Sequence, residues 1–374
     1  MKKIIAKSAG CLIGGAIGDA LGAPVEFMNK HMIRNRYGEG GIRSLKLENG
    51  KARFTDDTQM TLFTAEGLLR MHTYRRMKQA EPSWEILLRA YHRWMRTQGI
   101  GRYFPREGSI YRDLPQEEID RVLESGFLVH VPELNRSRAP GISCVSALGT
   151  GSRYTFNTPP NDSKGCGTIM RAAPAGIFHR DEPRAAFTAG CELSVLSHGH
   201  PTGYIAAGAF AMIIAHIFQG LPLLSASKAT LEYLEKINGP KGELEFIRQG
   251  DCEETIAAIW QAIDAFHQQD SYPSDIDRLG AGWIAEEALS ISLFAALVHQ
   301  NDFQEAIVMA VNHSGDSDST GSICGNIVGA VLGIEGIPEN YRQQIELSPL
   351  IEEVAGDLVE NEVDEAFAAK YPGW

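Results

Sequence analysis

The chain has 374 residues, a mass of 41.0 kDa and a formal net charge of −12 at pH 7. Its 44% hydrophobic residues suffice for a sizeable core, and its acidic balance argues against a sequence-independent nucleic-acid binder, which needs a basic face. Six cysteines are scattered without the spacing of a zinc or redox motif, so we expect reduced thiols and a cytoplasmic protein.

Apolar residues recur at helical spacing along nearly the whole chain, and strand-like alternation is almost absent. The pattern predicts an all-α protein. Because the breaks between helices are short, we expect a single compact domain over residues 1–374. The predicted helices, in chain order, are 5–21, 58–71, 84–94, 117–123, 168–178, 185–196, 202–218, 225–237, 254–266, 284–298, 303–311, 321–332 and 351–358.

The first predicted helix follows a basic N-terminus and is rich in glycine, as a secretory signal would be. Asp19 lies inside it and does not fit a cleaved peptide. The nearest approach to a membrane span, residues 204–218, is short and contains His216. We therefore expect neither a signal peptide nor a membrane-spanning helix.

Asp19 and Glu26 stand at the end of that first helix, and the sequence leaves their roles open. Asp19 either joins a polar site or pairs with an arginine or a helix end. Glu26 is either part of the same site or a surface residue.

The glycine pattern of residues 10–18 recurs in 321–329. Glycine destabilises a helix by about 1 kcal/mol per position relative to alanine, so repeated glycines need a packing reason. We expect two buried helices whose backbones approach closely.

Two acidic turns, about 260 residues apart, each precede a helix: Thr55-Asp56-Asp57-Thr58 and Asp316-Ser317-Asp318-Ser319-Thr320. An N-cap is the simpler interpretation of each, but a cap needs only one such residue. A calcium loop is excluded because the distal glutamate and the glycine at its sixth position are missing. Crowded carboxylates repel unless a proton or cation neutralises them. If the turns meet, their four aspartates balance two Mg²⁺ or Mn²⁺ ions, which prefer oxygen ligands.

Residues 163–171 form a glycine-rich turn that opens a predicted helix. Free backbone amides at such a turn cradle anions, so a diphosphate fits there. The order of a P-loop is absent. Cys166 in this turn is a candidate nucleophile if the helix start lowers its pKa, and an ordinary helix start is the alternative. His198, in the next polar turn, either is incidental or contacts a ligand.

Taken together and in this order, these motifs resemble the ADP-ribosylglycohydrolase family, which includes ADP-ribosylarginine hydrolases and the dinitrogenase reductase activating glycohydrolase. The resemblance runs from about residue 10 to residue 333 and is strongest in the two acidic turns. It implies an all-α fold with two Mg²⁺ or Mn²⁺ ions at the catalytic centre.

The resemblance also implies roles for individual residues. The implied metal ligands are Thr55, Asp56, Asp57, Asp316, Asp318 and Ser319, the last in place of the threonine of many members. The implied ligand-binding residues are Gly165, Cys166, Gly167, Thr168, Met170 and His198. Glu26 matches a mobile acidic residue of some members. Segments 101–112 and 138–141, within the long irregular stretch 101–162, are expected to shape the target-facing rim.

The implied reaction is hydrolysis of the N-glycosidic bond between ADP-ribose and a protein arginine, through an oxocarbenium-like transition state. The candidate catalytic residues are Asp57, Glu26 and Asp318, with Asp57 or Glu26 orienting the water or handling the proton. The expected partner is an ADP-ribosylated protein.

Three alternatives stay open for the function. The first is action on ADP-ribosylserine or free ADP-ribose derivatives. The second is a non-enzymatic protein that blocks a partner, which the intact acidic turns argue against. The third is immunity against an ADP-ribosylating toxin. In that case we expect reversal of the modification rather than plugging of the toxin, because the chain begins only about ten residues before the first motif.

Overall fold

The computed structural model describes residues 2–100, 104–105, 107–239, 243–268 and 276–374. In these ranges the chain forms 17 α-helices, five short 3-10 helices and one hairpin of two-residue strands. The prediction of an all-α fold is confirmed. The predicted rim segment 101–112 lies partly outside the described residues, at 101–103 and 106.

The first part of the chain contains eight α-helices and two strands, namely α1 (Lys2–Gly22), α2 (Lys30–Tyr37), β1 (Leu47–Glu48), β2 (Lys51–Ala52), α3 (Asp56–Lys78), α4 (Glu85–Thr97), α5 (Gln116–Leu123), α6 (Ile142–Gly149), α7 (Ala173–Phe178) and α8 (Pro183–Val195). The second part contains α9 (Pro201–Phe218), α10 (Leu223–Ile237), α11 (Glu253–Gln268), α12 (Ala285–Val298), α13 (Phe303–Val311), α14 (Ser317–Leu332), α15 (Glu339–Gln344), α16 (Ser348–Asp357) and α17 (Glu365–Lys370). The 3-10 helices are Leu128–His130, Pro132–Leu134, Cys166–Thr168, Ile276–Leu279 and Ile334–Gly336.

Helices α1 and α14 pack backbone to backbone, antiparallel, through their glycines. A Cβ built on Gly18 would lie 1.9 Å from the carbonyl oxygen of Gly321, and one built on Gly325 would lie 2.0 Å from that of Gly14. The expected close approach of the two glycine-rich helices is confirmed. Because the helices are antiparallel, the end of α1 meets the beginning of α14, and this contact places the two halves of the site side by side.

Two helices, α1 and α9, are long and apolar enough to cross a membrane by length and composition alone. This finding corrects the expectation that no stretch reaches that length. The apolar window of α1 is 78% buried inside the fold and that of α9 is 83% buried. Burial of this extent is what the core helices of a globular protein show.

The helix predicted over 168–178 is wrong in its first half. A 3-10 turn covers Cys166–Thr168, and α7 begins only at Ala173, with Pro174 in its first turn. Proline has no backbone N–H to continue a helix and disfavours helical geometry in the residue before it. The break leaves the backbone amides of the glycine-rich turn free of a regular α-helix.

Candidate active site

A cleft of about 470 Å³ brings the two acidic turns, the glycine-rich turn and His198 together. Of the residues predicted from the sequence, the cleft is lined by Glu26, Thr55, Asp56, Asp57, Gly165, Cys166, Gly167, Met170, His198, Asp316, Asp318 and Ser319. Thr168 is fully buried behind the wall, where its hydroxyl donates to the carbonyl oxygen of Gly165 at 3.1 Å. The fold therefore gathers these residues in one place, while their individual roles stay predictions.

The first acidic turn is held by Asp19, a fully buried carboxylate near the end of α1. Its Oδ1 accepts the backbone N–H of Thr55 at 2.8 Å, and its Oδ2 accepts both the N–H and the hydroxyl of Thr58, at 3.1 and 2.5 Å. Thr55 in turn caps α3 by accepting the N–H of Asp57 at 3.3 Å. Of the alternatives for Asp19, pairing with a helix end is the one the structure shows.

The second acidic turn begins α14 and is held by a contact with the segment before α12. Asp316 caps the helix by accepting the N–H of Ser319 at 3.3 Å, and its own N–H donates to the carbonyl oxygen of Ala281 at 2.8 Å. Gly315 adopts a φ of +147°, and a Cβ there would lie 1.9 Å from that same carbonyl oxygen. Only glycine fits such a close approach, and the turn is thereby fixed against the segment before α12.

The two turns and Glu26 form one cluster of carboxylates. Glu26, Asp316 and Asp318 each offer an oxygen within 4.8 Å of the others. Asp57 also lines the cleft, and its buried Oδ2 has no hydrogen-bond partner among the described residues. A buried carboxylate oxygen without a partner is unfavourable unless a cation or a proton reaches it.

The raised pKa values of these carboxyl groups also reflect how closely they lie together. Burial, and then the charge of Asp318, raises the pKa of Glu26 to about 8. The same two causes raise the pKa of Asp19 to about 7 and those of Asp56, Asp57 and Asp316 well above their usual range. Carboxylates whose pKa values rise together favour uptake of positive charge. With the hydroxyls of Thr55 and Ser319, this donor set is entirely oxygen and fits hard divalent cations.

The glycine-rich turn forms the wall beside the carboxylates. The N–H of Cys166 donates to the carbonyl oxygen of Trp283 at 3.0 Å, which ties the turn to the segment before α12. The thiol of Cys166 donates to Oδ2 of Asp316 at 2.7 Å. Burial, and then the charges of Asp316 and Asp57, raises the pKa of this thiol well above its usual value. The hypothesis of a Cys166 nucleophile with a lowered pKa is therefore wrong.

His198 lies against that turn. A Cβ built on Gly167 would lie 3.0 Å from Cε1 of His198 and 3.0 Å from Sγ of Cys144, so a larger residue at this position would press on both side chains. Burial, and then the charge of Arg171, lowers the pKa of His198 to about 3, and the ring is therefore neutral at physiological pH. The second histidine of this motif, His200, caps α9 by accepting the N–H of Thr202 at 3.2 Å.

Sequence reasoning missed the apolar rim of the cleft. Ile142, Phe27 and Trp283 line it with exposed fractions of 86%, 75% and 39%, and the rings of Phe27 and Trp283 stack at 5.1 Å. Phe27 has a φ of +66°, which is uncommon for a residue other than glycine. The available signal was the position of Phe27 directly after Glu26.

The segment 138–141, predicted to shape the rim, lines the cleft. Arg138 anchors it through a largely buried ion pair with Glu346, at 2.7 Å. The N–H of Gly141 donates to Oδ2 of Asp56 at 3.3 Å. The segment therefore touches the carboxylate cluster directly, and its position depends on Arg138.

Comparisons with known proteins give a consistent picture. The chain matches the family model described as ADP-ribosylglycohydrolase over residues 1–366. It is 24% identical to "ADP-ribosylarginine hydrolase Tri1" of Pseudomonas putida (strain GB-1), over 98% of this chain and 81% of that protein. It is 22% identical to "ADP-ribosyl-[dinitrogen reductase] glycohydrolase" of Rhodospirillum rubrum, over 91% of this chain and 90% of that protein. A solved structure described as "ADP-ribosylglycohydrolase-related protein complex" shares the fold, with a TM-score of 0.62 and 21% identity over 97% of this chain and 100% of that chain.

Proposed function

Because the chain belongs to the ADP-ribosylglycohydrolase family, we propose that it hydrolyses the N-glycosidic bond between ADP-ribose and a modified protein arginine. The observation that carries the proposal is the meeting of two acidic turns, from α3 and α14, in one cleft beside a glycine-rich turn. The choice of arginine is supported by the name of the Pseudomonas relative, an ADP-ribosylarginine hydrolase.

The cleft offers separate surfaces for the parts of the ligand. The diphosphate fits the glycine-rich turn at Gly167, since the N–H groups of Gly165 and Cys166 already donate to Oγ of Ser163 and to the carbonyl oxygen of Trp283. The adjoining ribose fits beside the carboxylates, which accept hydrogen bonds from its hydroxyls. The protein part of the substrate faces the apolar rim formed by Phe27, Ile142 and Trp283.

The residues that would hold two Mg²⁺ or Mn²⁺ ions are Thr55, Asp56, Asp57, Asp316, Asp318 and Ser319, with Glu26 alongside. When bound, such ions supply Lewis acidity and lower the pKa of an attacking water. The unpartnered Oδ2 of Asp57 and the group of oxygens around Asp318 support this assignment.

The carboxylates themselves perform the remaining chemistry. Positive charge develops on the sugar in an oxocarbenium-like transition state, and negative side chains beside it stabilise that charge. Asp57 lines the cleft, and its carboxylate accepts a hydrogen bond from the attacking water and orients it. Glu26, whose pKa is raised by burial and by the charge of Asp318, is the group that hands a proton to the departing guanidine.

The biological use that we propose is reversal of mono-ADP-ribosylation on a cytoplasmic protein, including a modification that an ADP-ribosylating toxin has made. The proposal is supported by the relatives, whose names specify ADP-ribosylarginine and ADP-ribosylated dinitrogen reductase. This use does not require binding of the toxin, because the substrate is the ADP-ribosylated protein that the toxin has produced.

Peptides carrying ADP-ribosylarginine or ADP-ribosylserine test the proposal. Each is incubated with the protein in Mg²⁺ and in chelator, and released ADP-ribose is measured by chromatography. We expect release from the arginine peptide in Mg²⁺ and none in chelator. Asp57→Asn should abolish turnover, whereas Asp364→Asn, at the cap of α17, should not. Release from the serine peptide alone would overturn the arginine assignment, and binding without release would favour a non-enzymatic role.

A further inference from the structure

The ring of His198 is held by hydrogen bonds that begin at a buried arginine. Nη2 of Arg171 donates to Oγ of Ser197 at 2.5 Å, and that oxygen lies 2.8 Å from Nδ1 of His198. We propose that Arg171 and Ser197 fix His198 as the neutral tautomer with its proton on Nε2. In this form the ring presents an N–H donor to an oxygen of the ligand, a part of the inference that rests on the proposed function.

The direction of each hydrogen bond follows from what its partners can do. A guanidinium can only donate, so Oγ of Ser197 accepts a hydrogen bond from Arg171, and the hydroxyl proton of Ser197 remains free to be donated. Three acceptors are in reach of that proton: Nδ1 of His198 at 2.8 Å, the carbonyl oxygen of Ser194 at 3.4 Å, and the sulfur of Cys144, which accepts only weakly. The carbonyl already accepts the backbone N–H groups of Ser197 and His198, at 3.1 and 3.0 Å. The hydroxyl therefore donates to Nδ1.

A neutral imidazole that accepts at Nδ1 carries its proton at Nε2. His198 is neutral because it is only 2% exposed and lies near the positive charge of Arg171, which together lower its pKa to about 3. The tautomer is thus set by the partner of the other nitrogen, as it is for many histidines with a defined task.

Nε2 of His198 lies on the side of the glycine-rich turn. Cβ atoms built on Gly165 and Gly167 would lie 3.4 and 3.3 Å from it, and no side chain stands between them. His198 lines the cleft, and within the described part of the chain no hydrogen bond is made by this nitrogen. An N–H at this place, beside the backbone amides of the turn, fits an oxygen acceptor such as a phosphate or a sugar hydroxyl.

Arg171 is suited to holding Ser197 because no carboxylate in the described ranges forms an ion pair with it. It is fully buried, with its guanidinium 4.5 Å from the ring centre of Tyr91 and its Nη1 near the sulfurs of Met60 and Cys144, at 3.5 and 3.6 Å. A buried charge without an ion-pair partner is unfavourable for stability. Its Nη2 donates to Oγ of Ser197 at 2.5 Å and, less closely, to the carbonyl oxygen of Leu193 at 3.3 Å, so Ser197 is its nearest acceptor.

Nitrogen NMR of the histidine ring tests the tautomer directly. Protein labelled with ¹⁵N at histidine is recorded at pH 7 without ligand, and the His198 signals are assigned by comparison with His198→Gln. We expect a bare Nδ1 and a protonated Nε2. A ring protonated at Nδ1, or at both nitrogens, would overturn the inference without reference to any activity.

Variants of Ser197 test the cause. Ser197→Ala should release the ring to a mixture of tautomers and weaken ADP-ribose binding in Mg²⁺ about ten-fold, the effect of one lost hydrogen bond to a charged acceptor. Ser197→Thr, which keeps the hydroxyl, should retain both the single tautomer of His198 and the affinity for ADP-ribose. The matched control is Ser194→Ala, since that hydroxyl donates to the carbonyl oxygen of Gly190 at 2.7 Å and does not contact His198.

The outcomes separate the two proposals. An unchanged His198 spectrum in folded Ser197→Ala overturns the inference. Wild-type protein that shows the Nε2–H form but fails to bind ADP-ribose supports the tautomer and overturns the proposed function instead.

Discussion

Asp19 of α1 holds Thr58 of α3 through two hydrogen bonds to one carboxylate oxygen, from the backbone N–H at 3.1 Å and from the hydroxyl at 2.5 Å. This contact ties the first acidic turn to the helix that packs against α14, where the second acidic turn begins. The cluster of carboxylates therefore depends on a residue that does not line the cleft.

Replacing Asp19 by asparagine should disrupt this arrangement. An amide in either orientation turns its NH₂ group toward at least one of the N–H donors of Thr55 and Thr58. We expect a loss of about 3 kcal/mol in the free energy of unfolding, measured by urea denaturation. Asp364→Asn is the control, since asparagine is an equally good N-cap there. A stability of Asp19→Asn equal to that of the control would contradict the assigned role.

The glycine contact between α1 and α14 makes a second prediction. In Gly18→Ala the new Cβ would lie 1.9 Å from the carbonyl oxygen of Gly321, so the helices must move apart. We expect a loss of about 3 kcal/mol in unfolding free energy, with weaker binding of Mn²⁺ in titration calorimetry. Gly356→Ala in α16 meets open space, and it should be neutral or stabilising by up to about 1 kcal/mol. Equal stabilities in the two variants would argue against the close packing.

The raised pKa values predict how stability depends on pH. Glu26, with a pKa of about 8, holds a proton in the folded protein that the unfolded chain has released at neutral pH. Its contribution is complete below the unfolded pKa of about 4 and is lost as the pH rises to 8, by less than about 1.4 kcal/mol per pH unit because water screens the partly exposed side chain. Thermal unfolding in chelator should therefore show a lower Tm at pH 8.5 than at pH 7.

Divalent cations should reverse that loss, because they neutralise the carboxylates in place of protons. We expect Mg²⁺ to raise the Tm more at pH 8.5 than at pH 7. The buried histidines, whose pKa values are lowered, oppose this trend only weakly, because an unfolded histidine with a pKa of about 6.5 is already mostly neutral at pH 7. A larger effect of Mg²⁺ at pH 7 would contradict the assignment of the cluster.

The exposed rim predicts a difference between protein and small substrates. Phe27 is 75% exposed, so Phe27→Ala should change the unfolding free energy by less than about 0.5 kcal/mol. It should raise KM for an ADP-ribosylated protein and leave KM for free ADP-ribosylarginine unchanged. Met77→Ala is the control, since Met77 is 63% exposed on α3 and is not part of the cleft lining. An equal rise in both KM values would place Phe27 on the ADP-ribose instead.

Much of the fold was predictable because long helices repeat their apolar pattern over many turns. The bounds of Phe303–Val311 agree at both ends. Several helices of eight residues or fewer, such as Lys30–Tyr37 and Glu339–Gln344, show too few turns for a pattern and were missed, although the eight-residue helix α5 was predicted over 117–123. The helix predicted to end at residue 71 continues to Lys78, where its last turn is basic and no longer packs in the core.

The site was predictable where chemistry is concentrated in a short run, as in the two acidic turns. The sequence left Asp19 undecided because its partners, Thr55 and Thr58, become neighbours only through folding. Cys166 was misjudged as a nucleophile because the pKa of a thiol depends on the charges that folding brings near it, here Asp316 and Asp57. No local pattern carries that information.

The central claim is that Asp56 and Asp57, with Asp316 and Asp318, hold divalent cations although the two pairs are about 260 residues apart. Anomalous diffraction from crystals grown with Mn²⁺ tests it most directly. We predict two manganese peaks in the cleft, each within ligand distance of carboxylates from these turns, and their loss in Asp57→Ala and Asp318→Ala. Crystals without manganese between the two turns, or with manganese bound elsewhere only, would contradict the account.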